Sequence, residues 1–197
     1  MVRTGLALMF FSLCISLPDV AWPSYAASVQ EERVNPLAQS IAEFKKRVDA
    51  YLALRRTVTA KVPEVTETGD PAKISMREKA LGQAIAAARA SAKPGDVFGP
   101  EMSVYLKRVI AEDWNSRSAA DRKAILGEIP AGLDLKINQP YPTTIPLASV
   151  PAKLLAKLPM IPEELEYRLV DSRLLLRDRD ANVIVDMLVG VPLKRAK

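Results

Sequence analysis

The sequence predicts an α+β protein with a mainly helical N-terminal body of three to four helices, a proline-rich extended strap and a small C-terminal antiparallel three-stranded meander. Three observations carry this. Apolar residues recur at helical spacing between Leu37 and Leu126, prolines crowd the stretch from Pro140 to Pro162, and alternating or β-branched runs fill Tyr167 to Leu188. The corresponding segments are 1–26, 27–132, 133–164, 165–192 and 193–197: leader, helical region, strap, meander and basic tail.

The leader reads as a secretory signal peptide. Arg3 supplies a positive start, Gly5 to Leu17 is uncharged and apolar, and Pro18 ends the run. Ser24-Tyr25-Ala26 places small residues at the −3 and −1 positions of a cleavage site. The run falls short of the roughly 20 residues that cross a bilayer. Cys14 lies inside it behind Leu13, where a lipoprotein signal needs a small residue. Cleavage after Ala26 predicts a periplasmic or secreted chain with no remaining transmembrane segment.

Asn35-Pro36 predicts a helix start, with Asn as N-cap and Pro at the first helical position. Leu37, Ile41, Phe44, Val48 and Tyr51 then form one stripe to about Thr57, backed by Lys45, Lys46, Arg47, Arg55 and Arg56. Thr57 to Gly69 reads as a linker. Asp70-Pro71 repeats the start signal for a helix to about Ala92, with Ile74, Leu81, Ile85 and Ala88 on one side. Its Ala86-Ala87-Ala88 run suits close helix packing. Gly99-Pro100 opens a third helix through Met102, Tyr105, Leu106, Val109, Ile110 and Trp114. Ser118 and Asp121 resemble a capping box for a short fourth helix that Pro130 stops.

Pro140, Pro142, Pro146, Pro151, Pro159 and Pro162 forbid a long helix or a central strand. Leu147, Val150, Leu154, Leu155, Leu158 and Ile161 make the segment too apolar for a free tail. It reads as a strap laid over the helical core, with a helical turn or two at Ala152 to Lys157. The meander follows. Asp171-Ser172 is a two-residue hairpin connection, and Asp178 to Asn182 is a longer turn. Three strands cannot bury both faces alone, so the meander is expected to dock on the helices or the strap.

Composition narrows the chemistry. The chain has no histidine, and its one cysteine, Cys14, leaves with the leader. A processed chain has no disulfide, imidazole or thiol, hence no Ser-His-Asp triad, cysteine nucleophile or Cys/His zinc site. No catalytic, cofactor-binding or metal-ligating residue is assigned, and no cofactor is implied. The net charge of +5 is interspersed, with one basic cluster at Lys194-Arg195-Ala196-Lys197. Without interleaved aromatics it does not predict nucleic-acid binding. The partner expected is an envelope protein or surface.

Two other chemistries remain open. Carboxylates alone could serve an envelope hydrolase, with Glu112, Asp113, Glu163 and Glu164 as candidate acids. The turn 178–186 offers Asp178, Asp180, Asn182 and Asp186 at positions 1, 3, 5 and 9, the beginning of a Ca²⁺ loop. Val183 replaces the glycine that such a loop needs, and Val189 stands where a bidentate glutamate would.

Leu165-Glu166-Tyr167-Arg168, Leu174-Leu175-Leu176, Asp178 and Asn182-Val183-Ile184-Val185-Asp186 together resemble the C-terminal ending of uncharacterised secreted bacterial proteins. They are similar also to the short β-meander of periplasmic proteins of the nickel/cobalt-homeostasis type. The resemblance implies a periplasmic, non-catalytic module. With no histidine in the chain, it carries no metal ligand across.

Overall fold

A computed structural model describes residues 35–64 and 70–193. The leader expected at 1–26 and the charged tail residues 194–197 lie outside the described residues. The described part is α+β, with five helices ahead of a three-stranded antiparallel sheet.

Helix α1 spans Pro36–Thr59, and the Asn35 side chain accepts the Leu37 N–H at 3.0 Å. Helix α2 spans Pro71–Ala88, capped in the same way by Asp70 through the Ala72 N–H. Both stripes bury only their later part. Phe44, Val48, Tyr51, Leu81 and Ile85 are core, whereas Ile41 and Ile74 are exposed. Helix α2 ends before the expected Ala92, and Ala88 is exposed. Arg89, the C-cap, turns inward instead. It donates to Asn138 Oδ1 and the Val185 carbonyl and sits 5.2 Å from the Tyr51 ring centre. Close packing of α2 comes from Gly82 rather than the alanine run: a Cβ there would stand 2.8 Å from the Ala181 carbonyl oxygen.

Helix α3 spans Pro100–Ser116 behind Gly99, whose φ of 73° suits glycine. Helix α4 spans Ala119–Glu128. Its Ser118 Oγ accepts the Asp121 N–H and donates to the Asp121 carboxylate, so the expected box closes through side chains. Trp114 is core, and Asp113 beside it is buried too. Helix α5, Ala152–Leu155, is the short turn expected inside the strap.

Strands β1 (Leu165–Val170), β2 (Arg173–Asp178) and β3 (Val183–Val189) form the meander in sequence order. Their periodicity puts Leu165, Tyr167, Leu169, Leu174, Leu176, Val183 and Leu188 on the helix side, where they join the main core. Phe98 stacks between Phe44 and Tyr167, with ring centres 6.0 and 6.5 Å away, tying α1 to β1. On the opposite face Val170, Leu175, Ile184 and Met187 form a second core with Leu135 and Tyr141.

That second core corrects the expected course of the strap. Its first half does not lie over the helices. It covers the far face of the sheet and pairs with the β3 edge: the Tyr141 N–H donates to the Asn182 carbonyl, and the Ile184 N–H to the Gln139 carbonyl. Only the later half, through Ala148, Val150, Leu154 and Leu158, enters the helical core. The sheet is therefore buried on both faces by segments that cannot be paired from sequence spacing alone.

Candidate functional site

The segment 178–186 carries the carboxylates that suggested Ca²⁺, and the fold splits them: Asp178 and Asp180 share Arg55, while Asp186 is directed elsewhere. Asp178 is buried and accepts from Tyr51 Oη and Arg55 Nε, both at 2.7 Å, and from the N–H groups of Asp180 and Ala181. Asp180 pairs with Arg55 Nη2. Asn182 accepts from Arg177 and donates to Glu78 and the Tyr141 carbonyl. Burial first, then the Asp178 carboxylate, push the Tyr51 hydroxyl far above its ordinary value and keep it a donor.

Asp186 points elsewhere because of a β-bulge. Arg177 pairs with Ile184 but Leu176 with Asp186, so Val185 is an extra residue. The shift keeps Asp186 on the helix side. There its buried carboxylate accepts the N–H groups of Gly95, Val97 and Phe98 at 2.6–2.8 Å, and its own neighbour Met187. These oxygens hold protein groups: Asp178 and Asp180 share the Arg55 guanidinium, while Asp186 binds N–H groups of Gly95, Val97 and Phe98. Among the described residues no group of three or more acidic, histidine or cysteine side chains is placed to hold a metal ion.

The four candidate acids of a hydrolase have separate settings. Glu112 is exposed beside Arg108, while Asp113 is buried and paired with Arg117 at 2.7 Å and Lys157 at 3.6 Å. Glu163 and Glu164 precede β1 and are engaged through their carbonyls by Arg179.

A groove of about 450 Å³ instead lies between β1 and the second half of the strap. Leu158 and Tyr167 line it as buried residues, and Tyr167 Oη donates to the Pro159 carbonyl. Leu155 and Met160 line it as exposed residues, and Met160 is 99% accessible. Glu166 and Arg168 supply its charge. Burial alone would raise the Glu166 pKa, but bonds from Arg168 and Arg177 outweigh it and hold the carboxyl below its ordinary value. None of these residues stood out as a site in the sequence. The available signal was Met160, a large apolar residue between Pro159 and Ile161 with no helical or strand period to bury it.

The fold and groove together define an α+β chain with an amphipathic surface cleft beside an edge strand. Comparisons with protein-family models, curated proteins and solved structures return no match to this chain. Among the described residues no helix is long and apolar enough to cross a membrane.

Proposed function

We propose that the protein is a periplasmic or secreted, non-catalytic binding protein that engages its partner through the groove between β1 and the strap. The observation that carries the reading is Met160, an unbranched apolar side chain left almost fully in water on the rim of an apolar cleft. Met is adaptable at contact surfaces, and binding sites are typically apolar clefts with a few placed polar groups. The signal-like leader supports the compartment.

A photo-crosslinking residue at Met160 tests this in the native cell, with Val104, an exposed residue of α3, as control. The expected result is a discrete adduct from position 160 on a chain whose N-terminus reads Ala27. Equal labelling from both positions, or recovery of uncut chain in the cytoplasm, overturns the proposal.

A further inference from the structure

Between Asp134 and Glu163 the chain carries no acidic residue, yet it holds Lys136, Lys153 and Lys157. The same stretch contains Leu147, Leu155 and Met160, all large apolar residues left exposed. Lys136, at its start, pairs with Asp134. Glu166 and Arg168 of the groove pair with each other, and Arg177 also holds Glu166. The charge left to meet a partner beside the groove therefore belongs to Lys153 and Lys157 of the strap.

Helix α5 arranges these residues. Its turn continues to Leu158, whose N–H donates to the Leu155 carbonyl. Leu154 and Leu158, four residues apart, are buried and fix its inner side. Tyr105 Oη donates to the Lys157 carbonyl at 3.3 Å and ties the turn to α3. Helical spacing then sets Ala152 and Ala156 outward, with Leu155 on one flank and Lys153 and Lys157 on the other. All five are exposed. Lys157 stands 3.6 Å from Asp113, but Arg117 already holds that carboxylate at 2.7 Å. Leu155 and Met160 both line the groove, and prolines at 159 and 162 stiffen the loop that projects Met160. Glu163 and Glu164 bound the surface at the end of the strap.

Projecting apolar side chains beside lysines, on small outward residues and without carboxylates, suit a partner that is anionic at its surface and apolar just beneath. A bilayer satisfies both demands at once and requires no matching shape. We propose that the partner of this surface is an anionic lipid bilayer, with Met160 and Leu155 entering the headgroup region and Lys153 and Lys157 facing the phosphates. The inference rests on Met160 marking the contact surface. The test is co-sedimentation of the protein purified from its native host with vesicles of phosphatidylglycerol and phosphatidylcholine in equal parts, against phosphatidylcholine alone. Binding is expected only to the anionic vesicles and should weaken as salt rises. Met160→Glu and Lys153→Glu change exposed side chains, so the melting temperature should hold while partitioning falls about fivefold or more for each. Lys73→Glu makes the same charge change on an exposed residue of α2 and should lower partitioning less than about twofold. Failure to bind anionic vesicles, or equal binding to phosphatidylcholine alone, overturns the inference. So does an equal loss from Lys73→Glu and Lys153→Glu, which marks attraction by net charge alone. A discrete protein adduct from position 160 without vesicle binding removes the bilayer and leaves the groove reading standing.

Discussion

Asp186 joins the final strand to the loop between α2 and α3 through three of that loop's N–H groups, all within 2.8 Å. Bonds to a charged acceptor contribute more than neutral ones, and each orphaned buried donor costs about 1–3 kcal/mol. Asp186→Ala should therefore lower stability by more than about 3 kcal/mol, read as a fall in the denaturant midpoint at constant m-value. Glu166 predicts a pH effect. Its pKa is depressed in the folded chain, so its contribution is complete above the unfolded carboxylate value of about 4.3 and is lost as pH falls through the folded value. Glu166→Gln should thus lose most stability near neutrality, and the gap to the parent should narrow with acidification below about pH 4. Paired acid titrations followed by circular dichroism would measure it. A constant gap would contradict the assignment.

The two helical glycines should respond to alanine with opposite signs. At Gly82 the new Cβ meets the Ala181 main chain, which cannot swing aside, so Gly82→Ala should cost about 1–3 kcal/mol. At Gly127 in α4 nothing lies within 4 Å, and alanine should add about 0.5–1 kcal/mol from helix propensity alone. Thermal melts of the two variants decide the matter. Helix starts were legible because they are local chemistry: Asn35-Pro36, Asp70-Pro71 and Ser118 act on N–H groups two or three residues away. The end of α2 was not, because Arg89 leaves the helical path for acceptors at Asn138 and Val185, distant in sequence. The turn at Asp178 was legible as a turn, but the destination of its carboxylates was not. That destination depends on the bulge at Val185 and on which helix faces which strand. Met160 escaped for the converse reason, since a solvent-facing side chain leaves no periodic trace.

For the whole molecule, the strap and sheet should behave as one unit, because the Asn138 N–H donates to Ile184 of β3, the Tyr141 N–H donates to Asn182 just ahead of it, and Leu135 and Tyr141 complete the second core. Native-state exchange should give Tyr141 and Ile184 amides the same opening free energy as the β2 core. A lower value for Tyr141 would mean that the strap opens by itself. The strand pattern made the meander readable, yet its double-sided cover could not be read, since no spacing links residue 141 to residue 182. The two buried aspartates have a further consequence, which concerns time. Asp178 holds Tyr51 and Arg55 of α1, and Asp186 holds residues 95–98. The anchors of the earliest helices thus arrive near the end of the chain. Contacts of such sequence separation cost loop-closure entropy, so they are expected to form after the local helical turns they anchor.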